Sequence, residues 1–278
     1  MNITDIITEN EIKKYIKRNH DIVVYDDIDS TNDELKKRAE QGATEGTVVI
    51  SDHQSGGKGR RGRSFFSPEN SGIYMSLLFR PDVKNAGDVL KLTSYAAVAV
   101  SRAITEVCHI ETGIKWVNDI YIRDKKICGI LAEAVTDSPD AIGTVVVGIG
   151  INVYEPPFVP EEIKDVIGYI YPDTKRLQDE DMDGYITEGQ DKNINIRNMI
   201  ISSVINNLYD YYYSDDDKYI MDYYRSNSIV LGHRVCYGSD LEREGVAVDI
   251  ENNGALVVED VSGETVILRT GEISLRVI

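Results

Sequence analysis

Short, uninterrupted apolar runs alternate with amphipathic stretches through the first 150 residues. "IVVY" (Ile22 to Tyr25), "TVVIS" (from Thr47) and "GIYMSLLFRP" (from Gly72, ended by Pro81) predict compact buried strands. "DSTNDELKKRAEQG" supplies Ser30 or Thr31 as N-cap, Asp33 or Glu34 as acidic partner and Gly42 as stop, and so predicts a helix. Thr8 with Glu11 predicts another, short helix with Ile12, Tyr15 and Ile16 on one face. From about Gly87 to Val107, small apolar residues ("SYAAVAVSRAI") predict a buried helix. Three more strands follow, "GIKWVNDIYI", "KICGILAEAV" and "GTVVVGIGINV", with "RDKK" (Arg123 to Lys126) as the hairpin turn between the first two. From about Glu155 to Asn193 the pattern weakens into an acidic surface segment with room for one short helix. "IRNMIISSVINNLYDYYY" and "DDDKYIMDYYRSN" predict helices whose tyrosines pack rather than form a stacking platform. After Asn227 the texture changes to short alternating strands, with "NNG" a good hairpin turn. The pattern predicts an α+β protein: a mixed sheet with helices on one face over residues 1–227, then a small β domain over 228–278.

Composition narrows the function classes. At 278 residues the chain is long enough for one large domain and a small one, and 42% hydrophobic with 28% charged residues is a globular composition. A formal charge of -17 opposes general binding to nucleic acid or to anionic membranes. No run approaches the ~20 apolar residues of a membrane span, and the N-terminus lacks a signal-peptide core, so a cytoplasmic protein is expected. Cys108, Cys128 and Cys236 are odd in number and far apart, which supports neither disulfides nor zinc. His20, His53, His109 and His233 form no metal or triad spacing.

Against that acidic background, "SGGKGRRGRSFFSP" (Ser55 to Pro68) interleaves Gly56, Gly57, Gly59 and Gly62 with Lys58, Arg60, Arg61 and Arg63. Close glycines let backbone N–H groups turn toward an anion, and the cations add charge where phosphate or carboxylate would sit. A phosphorylated small molecule is the simplest ligand class. Gly57, Gly59 and Gly62 also satisfy GxGxxG, but Pro68 and Gly72 follow where a dinucleotide fold needs a helix. An arginine-rich nucleic-acid patch is the other reading, and a solvated basic loop is the plain one.

Six stretches in order then carry a resemblance: "DSTN" (Asp29 to Asn32), "GKGRRGR" (Gly57 to Arg63), "KWVNDIY" (Lys115 to Tyr121), "KICGILAE" (Lys126 to Glu133), "GIGINV" (Gly148 to Val153) and "GEISLR" (Gly271 to Arg276). Together they resemble the biotin–protein ligases from about Tyr25 to Arg276. The resemblance implies a mixed-sheet catalytic domain of the biotin/lipoate ligase type and a C-terminal SH3-like β-barrel. It also implies the activity of a biotin–[biotin carboxyl-carrier protein] ligase. Biotin's carboxylate attacks the α-phosphate of ATP to give biotinyl-5′-AMP. A lysine of a biotin carboxyl carrier domain then takes the biotinyl group. ATP, Mg2+ and biotin are the implied small partners. A homodimer and a monomer are both compatible with the family.

By the same resemblance Ser30, Thr31, Asn32, Gln54, Lys58, Gly59, Arg60, Lys115 and Gly129 bind biotin, while a plain N-cap also accounts for one of Ser30 and Thr31. Lys115 and Arg60 are the expected catalytic residues, Lys115 stabilising charge on the α-phosphate. Arg61, Arg63, Phe65, Asn118 and Asn152 are expected at ATP. Arg61 and Arg63 serve phosphates or order the loop, and Asn118 with Asp119 form a turn or help hold nucleotide and magnesium. Gly129 and Gly148 admit ligand or mark strand kinks. The magnesium ligands are not readable. Two positions depart from the common family pattern: Lys58 where Arg is usual, which keeps charge but loses the bidentate fork, and Val117 where proline is usual. "DSTN" begins at residue 29, which leaves too little chain for the DNA-binding domain of the repressor forms, so a monofunctional ligase without a DNA partner is expected. A lipoate–protein ligase and a non-catalytic nucleotide or nucleic-acid-binding module are the alternatives.

Overall fold

The computed structural model describes residues 5–81, 86–138, 141–171, 195–238, 240–269 and 274–277. Along the chain run α1 (Glu9–Lys13), β1 (Ile22–Ile28), α2 (Thr31–Glu40), β2 (Val48–Gln54), a 3-10 turn (Arg60–Gly62), β3 (Gly72–Phe79), α3 (Ala86–Cys108), β4 (Gly113–Lys115), β5 (Asp119–Ile122), β6 (Lys125–Ser138) and β7 (Ala141–Asn152). Then come α4 (Ile196–Tyr212), α5 (Asp217–Ser226), β8 (Arg234–Gly238), β9 (Arg243–Ile250), β10 (Leu256–Asp260), β11 (Thr265–Leu268) and β12 (Ser274–Val277).

The strands pair into two sheets. Seven lie in the order β1-β2-β3-β7-β6-β5-β4, with β1 and β2 parallel and the other pairs antiparallel. Strands β8 to β12 form a separate antiparallel sheet, ordered β11-β10-β9-β8-β12. No helix among the described residues is long and apolar enough to cross a membrane.

The continuous apolar runs are explained by burial on both faces, since every residue of β3 is buried. Successive side chains point to opposite faces. Val48, Ile50, Leu77, Phe79, Val145 and Val147 join the main core with α3 and α4. The alternate residues Val49, Leu78 and Val146 pack with Leu35 of α2 in a second, smaller core. Helices therefore cover both faces, not one as the pattern suggested. The reason is that α2 buries only Leu35 and the polar first-turn residues Thr31 and Asn32, too narrow an apolar stripe to announce its partner.

Two further expectations are corrected. "GIKWVNDIYI" is two strands, β4 and β5, folded back so that Lys115 pairs with Asp119. Trp116 and Val117 are both buried in the intervening turn, which hides it in the hydrophobic pattern. The Trp116–Val117 peptide is cis. The acidic stretch after Glu155 is not wholly surface: Ile170 is buried, and Gly168 donates its N–H to the Lys126 carbonyl at 2.7 Å. Most of that stretch, and the helix allowed for it, lies outside the described residues.

At the start of α4, Arg197 is buried with 1% exposure. Its Nη1 donates to Asp52 Oδ1 (2.5 Å) and to the Gly72 carbonyl (3.1 Å), while its backbone N–H donates to Asp5 Oδ2 (3.1 Å). A buried charge persists only when so compensated. Asp52 in turn accepts the Asn70 N–H at 2.9 Å, which anchors the far end of the basic loop.

Candidate active site

One cavity of about 460 Å³ lies on the α2 face of the large sheet. Strand β7 shows how that face opens. Val146 packs under Leu35. Two residues on, a Cβ on Gly148 would meet Asn32 Oδ1 at 2.2 Å, and two further on, a Cβ on Gly150 would meet the Phe65 ring at 2.4 Å. The side chains of the helix and the loop thus lie directly on backbone, and only glycine permits it.

The helix N-terminus forms one wall. Ser30 is the N-cap, its hydroxyl accepting the Asp33 N–H at 3.5 Å. Gln54, at the end of β2, accepts the Thr31 N–H through Oε1 (2.9 Å) and donates from Nε2 to Ser67 Oγ (3.0 Å). Asn32 lines the cavity, yet its amide is engaged by the protein. Oδ1 lies 2.5 Å from Ser76 Oγ, and Nδ2 donates to Glu133 Oε2 at 2.7 Å. Glu133 also pairs with Lys36 at 2.6 Å.

The basic loop folds over this wall. Gly59 N–H donates to the Arg63 carbonyl at 2.7 Å, closing a tight turn in which Arg61 and Gly62 take φ of 59° and 71°. Lys58 pairs with Asp33 at 2.5 Å, and that hydrogen bond raises the pKa of its ammonium. Arg60 is drawn inward, where Nη1 donates to Asn118 Oδ1 at 2.8 Å. Burial lowers the pKa of its guanidinium, while nearby Asp119 opposes the shift. Asn118 is fixed from behind by bonds in both directions with Ile130, Nδ2 to its carbonyl at 2.8 Å and the Ile130 N–H to the Asn118 carbonyl at 2.9 Å.

The opposite wall is the β4–β5–β6 corner. Lys115 lines the cavity with Nζ 5.6 Å from the centre of the Tyr121 ring. Lys126 Nζ lies 2.7 Å from Asp119 Oδ1. Burial, with Asp119 adding, pushes the Tyr121 phenol up to about 12, so it stays protonated at neutral pH. Among the described residues, six cationic side chains (Lys58, Arg60, Arg61, Arg63, Lys115 and Lys126) and a single carboxylate, Asp119, line the cavity.

The fold thus gathers Ser30, Thr31, Asn32, Gln54, Lys58, Gly59, Arg60, Arg61, Arg63, Phe65, Lys115, Asn118 and Gly129 around one space. Asn152 is not on its lining. That residue is buried beyond Gly150, with Nδ2 3.5 Å from the Lys126 carbonyl. Lys126, Tyr121, Gly150 and Leu241 are lining residues that sequence reasoning passed over. Lys126 was absorbed into the "RDKK" turn, although pairing out from that hairpin sets it opposite Tyr121. Leu241 arrives from the C-terminal sheet and left no signal.

No group of three His, Cys, Asp or Glu among the described residues is placed to hold a metal ion. A lone Asp119 fits magnesium, which keeps most of its shell as water and phosphate oxygen.

Comparison with known proteins gives this geometry a context. The biotin/lipoate A/B protein ligase family matches residues 24–152, and the biotin protein ligase C terminal domain matches residues 234–276. The bifunctional ligase/repressor BirA of Bacillus subtilis is 40% identical over 164 residues, 58% of this chain and 50% of that protein, so the chain spans half the length of this relative. The biotin–[acetyl-CoA-carboxylase] ligase of Mycobacterium tuberculosis is 34% identical over 258 residues, 88% of this chain and 85% of that one. Among solved structures, the Aquifex aeolicus biotin protein ligase in complex with biotin and ATP superposes with a TM-score of 0.71 at 27% identity, over 93% of this chain and 99% of that chain. A likeness that runs through both sheets and reaches this level over nearly the whole chain leaves one assignment: the protein belongs to the biotin protein ligase family.

Proposed function

We propose that this protein joins biotin to ATP as biotinyl-5′-AMP and passes the biotinyl group to a lysine of a biotin carboxyl carrier domain. The observation that carries this is the cavity's charge. Among the described lining residues six cations face one carboxylate, in a chain of formal charge -17. Such a site suits a reaction between a carboxylate and a triphosphate, whose negative charges must be brought together.

In the first step a carboxylate oxygen of biotin forms a bond to the α-phosphorus and pyrophosphate leaves. In the second, a lysine amine attacks the acyl carbon, AMP leaves with the bonding pair, and the amine gives up a proton. The substrates supply nucleophile and leaving group, so the protein's work is placement and charge stabilisation. Ser30, Thr31 and Gln54 offer hydroxyl and amide groups to the ureido ring, while Asn32 holds the wall. Lys58 and Arg60 close over the carboxylate. Lys115 and Lys126, from the opposite wall, face the α-phosphate and the charge that builds there. Arg61 and Arg63 extend toward the remaining phosphates, and Phe65 offers its face to adenine. Asp119 would hold magnesium together with the phosphates, and that ion supplies further neutralisation of their charge. Residues 1–227 form the ligase domain and residues 228–278 the C-terminal one.

The test is pyrophosphate release from ATP and magnesium by the purified protein, with biotin against lipoate. Release with biotin, followed by labelling of an acceptor domain, is expected. Release with lipoate alone makes it a lipoate ligase, and oligonucleotide binding without release makes it a non-catalytic module.

A further inference from the structure

Ser67 does not line the cavity. It is 4% exposed and stands behind the wall, where its hydroxyl accepts from Gln54 Nε2 and donates to the Phe65 carbonyl, both at 3.0 Å. Gln54 has no freedom to turn over: its Oε1 faces the Thr31 N–H, which can only donate, so its amide nitrogen must face Ser67. The backbone repeats the connection. Gln54 N–H donates to the Ser67 carbonyl at 3.2 Å, and Phe65 N–H donates to the Gly57 carbonyl at 2.8 Å. Gly57 is closed off by the same cluster, since a Cβ there would lie 2.6 Å from the Phe65 carbonyl oxygen and 2.7 Å from Ser67 Oγ. An unbroken chain therefore runs from Thr31 through Gln54 and Ser67 to the backbone of Phe65. The Phe65 ring covers the Gly150 end of the floor.

From this we infer that Ser67 is a positioning residue that couples the two substrate sites, an inference that rests on the biotin-ligase reading above. Gln54 is the member of the chain that faces both the first substrate and Ser67. When biotin engages the Gln54 amide, the Gln54–Ser67 bond is held in one geometry. The Phe65 carbonyl, and with it the aromatic ring, is held in turn where adenine arrives. Biotin thereby prepares the nucleotide site without touching it, and by linkage the nucleotide strengthens biotin equally.

The experiment is calorimetric titration of the full chain with the non-hydrolysable analogue α,β-methylene-ATP, with and without saturating biotin. The ratio of the two dissociation constants is the coupling factor. Wild type is expected to show a ratio of about ten or more. Ser67→Ala, which removes one oxygen and leaves the methylene, should bind biotin alone nearly as wild type while its coupling factor falls about tenfold, within the usual range of such couplings. Ser67→Thr, which keeps the hydroxyl, should restore the coupling. An unchanged factor in Ser67→Ala, or equal loss in both variants, overturns the role of the hydroxyl. Wild-type protein that binds biotin and releases pyrophosphate but shows no coupling overturns the inference alone. Wild type that does neither overturns the functional reading with it.

Discussion

Lys115 owes its place to a turn. Its strand ends at the Trp116–Asn118 corner, and pairing with Asp119 holds its backbone at the cavity wall. Lys115→Ala is expected to leave biotin binding measurable while lowering adenylate formation by roughly 100-fold, the scale of one electrostatic donor. Single-turnover pyrophosphate release checks this, and near-normal turnover contradicts it. A second residue-level expectation concerns His20, remote from the cavity. Its Nδ1 lies 3.0 Å from the Gly46 carbonyl and so carries the proton, while Nε2 is buried without a partner. Burial lowers its pKa below the ordinary 6.5. Above that value the ring is neutral in both folded and unfolded chains and costs nothing. Below it the unfolded chain takes up a proton that the fold refuses, so stability falls as pH drops, by up to about 1.4 kcal/mol per pH unit. Urea midpoints at pH 7.5 and pH 5 should therefore differ more in wild type than in His20→Phe, and an NMR titration placing His20 at or above 6.5 would refute the account.

At the scale of elements, the basic loop combines two behaviours. Its two ends are tied together across the base, by Gln54 to Ser67 and by Asn70 to Asp52. Its tip, Arg61 to Arg63, is exposed and held by a few short-range bonds. Fixing glycines costs conformational entropy, which bound ligand can offset. Trypsin is therefore expected to cut after Arg61 or Arg63 in the free protein and more slowly with biotin and ATP present. Equal cleavage rates would count against closure of the loop on its substrates. Strand β7 shows the complementary device, rigid rather than mobile. One face steps from Val146 to Gly148 to Gly150, from packed core to cavity floor, without any break in hydrogen bonding to β3 or β6.

At the scale of the whole molecule, the two sheets meet at the corner that carries Lys115. Trp116 Nε1 donates to the Gly254 carbonyl at 2.9 Å. Arg225, at the end of α5, donates from Nε to the Ile250 carbonyl and from Nη2 to Asn252 Oδ1, each at 2.6 Å. Leu241 reaches the cavity lining. The C-terminal sheet is thus fastened beside the cavity wall that carries Lys115. Trp116→Phe keeps the apolar body but strands a buried carbonyl, and should cost about 1–3 kcal/mol in chemical denaturation. A loss within error of zero would show that the seam does not depend on this bond. Charge also acts at this scale. A cationic cleft in an otherwise acidic molecule attracts a triphosphate locally while the far field repels larger polyanions.

The sequence by itself determined most of the elements and the cationic character of the loop. The apolar runs, the Ser30 cap and the change of texture after Asn227 follow from local rules of pairing, capping and turn formation. The interleaving of glycine and cation in the loop is chemical information that needs no fold. Only the tertiary structure decided which faces are shared and which groups meet. The "GIKWVNDIYI" run hides its turn because Trp116 and Val117 are buried like strand residues. Lys126 is set on the cavity wall by the register of β5 against β6, Leu241 by the docking of the C-terminal sheet, and Asn152 is set off the lining by its step beyond Gly150. Local propensity is a property of neighbours in sequence, whereas a site is made of neighbours in space. Here the second kind depends on strand register and on the docking of a separate sheet, which no short window of residues encodes.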